Sequence, residues 1–140
     1  MSQYGGEGVT KADEPRLLFI YGSLRRGEPM FEELGLERAL EYVSEGTFRG
    51  DLYDLGDYPG AVPADGVVRG EVYRIKDVSI LDALDRYEEF DPDNPEDSLF
   101  VRQRIHIRGA GEAWTYLYNG SREDRRPIPS GHWRKRRSAA

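Results

Sequence analysis

The chain has 140 residues with no cysteine, 38% hydrophobic and 33% charged positions, and a formal net charge of −6. That size and balance fit one compact domain around one core, and the lack of cysteine excludes disulfides, thiolate nucleophiles and zinc sites built on sulfur. The charge is uneven: residues 122–140 hold seven Lys or Arg against two acids, a net +5, so the remainder carries −11. An acidic body of that kind disfavours a nucleic-acid surface.

No stretch approaches the roughly 20 apolar residues of a membrane span, and the polar, glycine-containing start lacks the apolar centre of a signal peptide. The expectation is a cytoplasmic, soluble protein with no membrane partner. Residues 1–14 are expected to form a mobile segment, because they offer little apolar surface to offset their ordering entropy. Residues 15–133 are expected to form the domain, and 134–140, with Arg134-Lys135-Arg136-Arg137, a solvated basic tail. Nothing in the sequence sets the oligomeric state.

In chain order, Leu17-Leu18-Phe19-Ile20-Tyr21 reads as an apolar strand that stops in a Gly22-Ser23 turn. A strand ending this way leaves successive N–H groups that can be aimed at a ligand oxygen. Residues 28–35 read as a short helical turn opened by Pro29. Residues 39–44, 46–55 and 67–75 read as strands, separated by turns at Tyr58-Pro59-Gly60 and Asp65-Gly66. Residues 77–89 form the one convincing helix: Val78, Leu81, Leu84 and Glu88 share a face, Asp77 or Ser79 caps its start, and the Asp91–Pro95 stretch ends it. Leu99, Val101, Ile105 and Ile107 then alternate with Arg102, Arg104, His106 and Arg108 in the period of a half-exposed strand. Residues 113–119 supply another strand. Many strands with one main helix predict an α+β fold, a small barrel or closed sheet, since the strand–helix alternation of a doubly wound sheet is absent.

Glu88 is the residue with the most chemistry in it. On a regular helix it faces the core with Leu81 and Leu84, where desolvation and the negative end of the helix dipole both raise a carboxylic acid's pKa toward that of a useful base. A helix that frays after Tyr87 would leave it solvated, and spacing alone does not separate the two. The loop after Tyr21 lacks the Gly-Lys-Ser/Thr ending of a phosphate cradle, and Arg25 and Arg26 do not replace it. His106 lies on the polar side of its strand and His132 in a loop, with no second ligand at metal spacing, so no metal site is expected.

Five segments in order resemble those of the γ-glutamylcyclotransferase-like family: Tyr21-Gly22-Ser23-Leu24-Arg25-Arg26-Gly27, Pro59-Gly60-Ala61-Val62, Leu81-Asp82-Ala83-Leu84-Asp85-Arg86-Tyr87-Glu88, Trp114-Thr115-Tyr116-Leu117-Tyr118-Asn119 and Ile128-Pro129-Ser130-Gly131-His132-Trp133. The resemblance covers residues 17–133. It implies a small mixed β-barrel with flanking helices, a glycine loop that holds a γ-glutamyl group, and Glu88 as the acid/base. The implied reaction is attack of a substrate's α-amine on its own γ-glutamyl carbonyl, giving 5-oxoproline and a released amine or amino acid. Because nucleophile and electrophile belong to one molecule, a ring-closing pose supplies much of the acceleration and no cofactor is expected.

On that reading Gly22, Ser23 and Leu24 offer backbone donors for the developing oxyanion or for the substrate's α-carboxylate, while Tyr21 and Tyr118 wall the pocket or hydrogen-bond its occupant. The loop looks closer to the γ-glutamylamine branch of the family. One departure stands out: many family members carry glycine after the catalytic glutamate, where this chain has Glu89, whose side chain would point about 100° away from Glu88. The alternative expectation is a non-catalytic module that binds a small metabolite or a partner on the same fold.

Overall fold

The computed structural model describes residues 14–22 and 29–133, so the expectations for the N-terminal segment, for Ser23 to Gly27 and for the basic tail lie outside the described residues. Among those described, six strands form one mixed sheet: β1 (Leu17–Ile20), β2 (Leu40–Asp54), β3 (Pro59–Ile75), β4 (Phe100–Ile107), β5 (Gly111–Tyr118) and β6 (Arg126–Pro127). Their spatial order is β4-β5-β1-β3-β2-β6. Three α-helices accompany them, α1 (Pro29–Glu33), α2 (Leu36–Ala39) and α3 (Ile80–Tyr87), with one 3-10 turn at Pro95–Asp97. The α+β class stands, with the sheet curled into a half-barrel: the Arg108 N–H just beyond β4 donates to the Thr47 carbonyl of β2 at 3.0 Å.

Strand β1 sits in the middle of this sheet, antiparallel to β3 from Leu17 opposite Arg74 to Ile20 opposite Glu71, and parallel to β5 with Leu18 beside Trp114. Both of its faces are covered. Leu18 and Ile20 belong to a core shared with Leu36, Leu84 and Phe100, whereas Phe19 and Tyr21 belong to a second core with Phe48, Val72 and Trp133. A strand buried on both sides has no polar alternation, which is why this segment reads as a continuous apolar run.

The middle of the chain departs from expectation in its punctuation. Residues 39–44 and 46–55 are not two strands but one 15-residue strand, bulged so that Tyr42 opposes Tyr73 and Ser44 opposes Val72 while Val43 is left over. The Asp65-Gly66 turn is absorbed as a second irregularity inside β3, where Gly50 opposes Pro63 and Arg49 opposes Val67. Bulges add twist and bend a strand, and these two lie in the long β2–β3 ribbon of the curled sheet. The hairpin turns at residues 55–58 rather than 58–60: the Leu55 N–H donates to the Tyr58 carbonyl at 3.0 Å, with Gly56 at φ 109°. Gly60 is instead a packing position, since a Cβ there would meet Leu55 Cδ1 and Tyr118 Cβ at 2.8 Å each.

Helix α3 is shorter than the periodicity predicts. Asp77 spends its carboxylate on the turn before it, accepting from the Ser79 N–H at 3.0 Å and the Ser79 hydroxyl at 2.7 Å, so regular helix begins only at Ile80. Val78 is 56% exposed and is not part of the buried face. That face consists of Ile80, Leu81, Leu84 and Asp85.

Candidate active site

Two termini of regular structure meet at a cavity of about 300 Å³, the C-terminal end of β1 and the C-terminal end of α3. Tyr21 and Gly22 line it from the first, Glu88 from the second, with Pro59, Phe100 and Tyr116 among the other walls. This volume is at the lower end of small-ligand pockets.

Glu88 keeps its place because the helix does not fray. Its N–H donates to the Leu84 carbonyl at 2.9 Å, and its own backbone stays near helical values, φ −84° and ψ 0°. The chain then turns sharply: Glu89 adopts φ 58°, its N–H reaches the Arg86 carbonyl at 3.2 Å, and the Phe90 N–H reaches the Asp85 carbonyl at 2.8 Å. These paired backbone bonds form a Schellman ending, whose left-handed position normally belongs to glycine. Glu89 therefore occupies a glycine-type conformation with an exposed side chain. The departure noted in the sequence is absorbed as local backbone strain, while Glu88 remains half-buried at the cavity. Burial raises its carboxyl from 4.5 to about 7, because an ion loses hydration there.

Tyr21 is a strut more than a free wall. Its hydroxyl donates to the Tyr116 carbonyl at 2.6 Å and accepts from the Ala61 N–H at 3.1 Å, tying β1 to β5 and β3 at the cavity floor. Burial pushes its phenol far above the ordinary range, against the Ala61 hydrogen bond, with the charge of Glu88 adding to the rise. Gly22 is where the backbone needs space: a Cβ there would stand 3.0 Å from Pro59 Cγ. Tyr118 does not line the cavity; its ring packs near that of Phe100, with centroids 5.8 Å apart, and its hydroxyl donates to the Ser121 carbonyl at 2.8 Å. Ser23 and Leu24 lie outside the described residues.

Behind Glu88 is a buried polar network that sequence reasoning missed. Asp85, one turn earlier on α3 and 6% exposed, receives Arg102 through Nε at 2.8 Å and Nη2 at 3.2 Å, and accepts the Tyr116 hydroxyl at 2.5 Å. The Arg102 guanidinium also lies 4.5 Å from the centre of the Trp114 ring. Burial disfavours the charge on Arg102, yet the hydrogen bonds and charge of Asp85 more than offset that and raise its pKa. Burial, reinforced by Asp85, likewise drives the Tyr116 phenol far upward. The available signal was Asp85 itself, a carboxylate four residues after Leu81 on the core-facing side of a helix. Its partner was harder to find, because Arg102 falls on the strand face that alternation assigns to solvent.

Among the described residues no three His, Asp or Glu side chains gather as a metal ion would require, and no helix is long and apolar enough to cross a membrane. Comparison with known proteins bears on what such a cavity belongs to. The Escherichia coli (strain K12) γ-glutamylcyclotransferase family protein YtfP is 36% identical over 118 residues, covering 83% of this chain and 94% of that protein. The γ-L-glutamyl-butirosin B γ-glutamyl cyclotransferase of Niallia circulans is 30% identical over 124 residues, covering 86% and 76%. The solution structure of Escherichia coli ytfP superposes with a TM-score of 0.63 at 33% identity, covering 84% of this chain and 95% of that one. The sequence model described as γ-glutamyl cyclotransferase, AIG2-like, matches residues 18–135, from the central strand past the last buried aromatic residue, Trp133. The chain belongs to the γ-glutamyl cyclotransferase, AIG2-like family.

Proposed function

We propose that the chain is a γ-glutamyl cyclotransferase in which Glu88 is the general base and then the general acid. The observation that carries this reading is the position of Glu88: a carboxyl raised to about 7 on the same small cavity as the end of β1. The substrate's α-ammonium gives a proton to the Glu88 carboxylate, and the freed nitrogen lone pair attacks the γ-carbonyl to form the new C–N bond. As the tetrahedral centre collapses, the carbonyl re-forms, the old C–N bond breaks and the proton passes from Glu88 to the departing nitrogen, while the ring nitrogen gives up its second proton, which leaves on the released amine as its ammonium form. Glu88 ends as it began. A group with its pKa near neutrality serves both transfers, since neither protonation state is strongly favoured.

The run Gly22-Ser23-Leu24 is assigned the donors that hold the substrate's oxygens, where fixed dipoles gain from exclusion of water. Tyr21 and the Asp85–Arg102–Tyr116 network keep the two ends of the cavity in register. The ring closure itself needs a folded-over pose of one small molecule, so holding that pose prepays much of the entropy of activation.

The test is 5-oxoproline release from γ-glutamyl amines, γ-glutamyl amino acids and glutathione by the native chain and by Glu88→Gln. Loss of at least about a hundredfold with preserved folding is the expected result, the low end for a general base. Undiminished turnover moves the base elsewhere. No product from any compound favours a module that binds without turnover.

A further inference from the structure

Six large hydrophobic side chains stand exposed among the described residues, and three of them line one cavity: Tyr58 at 39%, Tyr87 at 37% and Leu99 at 44%. They arrive from three separate places, the β2–β3 turn, the last residue of α3 and the segment before β4. The sequence assigns Leu99 to the buried side of a strand; the structure puts it ahead of that strand, its carbonyl accepting the Asn119 N–H at 2.8 Å while its side chain remains open. The Tyr58 ring is braced 5.9 Å from that of Phe100. Scattered exposed apolar residues need no explanation, but a convergence at the mouth of a cavity marks a binding surface.

The charges at the same place point one way. Glu88 and the exposed Glu89 both line the cavity, and among its described lining residues there is no Lys or Arg. Among the described lining residues, a carboxylate on the departing half beside Glu89 would meet like charge with no Lys or Arg to offset it. Because the γ-glutamyl half must place its carbonyl against Glu88, the departing half is the part that reaches the rim.

We infer that the rim formed by Tyr58, Tyr87 and Leu99 is a subsite for the departing amine, and that it selects an apolar or aromatic amine without a carboxylate. This rests on the cyclotransferase reading of the cavity. It adds which half of the substrate carries specificity and what chemistry that half has.

The test compares kcat/KM for four γ-glutamyl amides, those of methylamine, 2-phenylethylamine, phenylalanine and 1,5-diaminopentane, using the full chain and the variants Leu99→Ala and Glu89→Gln. The phenylethylamide is expected to exceed the methylamide by roughly tenfold or more, the scale on which an apolar pocket discriminates. The phenylalanine compound should fall well below it, and Glu89→Gln should narrow that gap. Leu99→Ala should shrink the phenylethylamide-to-methylamide ratio several-fold. Equal efficiency for the methylamide and phenylethylamide, a ratio indifferent to Leu99→Ala, or preference for the diaminopentane compound overturns the subsite and leaves the reaction standing. Release of 5-oxoproline from none of the four overturns the reaction, and the subsite falls with it.

Discussion

Replacing Glu88 by Gln should stabilise the protein in a pH-dependent way. In the folded chain the carboxyl is raised from 4.5 to about 7 by burial, so folding disfavours its ionisation. A carboxyl with a raised folded pKa contributes no penalty below its unfolded pKa, an increasing penalty between the two values, and a constant one above the folded value. At roughly 1.4 kcal/mol per pH unit, the full penalty above pH 8 is about 3 kcal/mol. Gln fills nearly the same volume without ionising. Urea unfolding of both proteins from pH 5 to pH 9 should therefore show the variant gaining about 2.5 kcal/mol on the native chain across that range. The other titrating groups are common to both proteins and cancel in the difference. Curves that stay parallel would show that Glu88 ionises equally well folded and unfolded, and would refute the account of a desolvated base.

The same ionisation should appear in the rate: kcat/KM for 5-oxoproline release should climb as pH rises through about 7, because the deprotonated form accepts the substrate's proton, and a rise centred near 4.5 would contradict it. Glu89→Gly should raise the unfolding free energy by about 1 kcal/mol, since φ 58° is strained for a residue with a Cβ and free for glycine; chemical denaturation measures it. Asp85→Ala should cost about 3 kcal/mol or more by the same method, because it leaves the Arg102 charge and the Tyr116 hydroxyl without their buried partner. Gly131→Ala should be severely destabilising, as φ is 68° there and the added Cβ would collide with the Val67 carbonyl oxygen, which a thermal melt would show as a large drop in Tm.

The elements legible in the sequence are those whose signal is local. The unbroken apolar run of β1 and the helical spacing of Leu81 and Leu84 on α3 are each read within a few residues, and the structure has both elements. The β2–β3 ribbon was harder: the break read between residues 44 and 46 is continuous pairing, with Glu45 opposite Glu71, and the Asp65-Gly66 turn is an irregularity bridged by pairing on either side. Pairing partners decide that, and they are distant in sequence. In the candidate site, a strand ending pointed to Gly22 and helix spacing to Glu88, but spacing left Glu88 either core-facing or solvated, and the resemblance gave it its expected role. That Tyr116 lines the cavity and Tyr118 does not could not be read that way: both lie on β5 with the same parity, and the surrounding elements decide which one reaches it. Arg102 hid for a related reason, since it reads as solvated until the buried Asp85 is placed against it.

The parallel pairing of β1 with β5 has a consequence for how the protein comes into being. Leu18 lies beside Trp114, the Tyr21 hydroxyl meets a carbonyl 95 residues away, and the Thr115 hydroxyl donates to the Phe19 carbonyl at a separation of 96. Such distant partners make loop closure the slow event in folding. During synthesis the central strand leaves the ribosome early and waits for β5 with one edge unpaired. A chain released before Ala113 would have Glu88 and the end of β1 but not the Thr115 and Tyr116 wall of their cavity, and its open strand edge would be the natural starting point for aggregation.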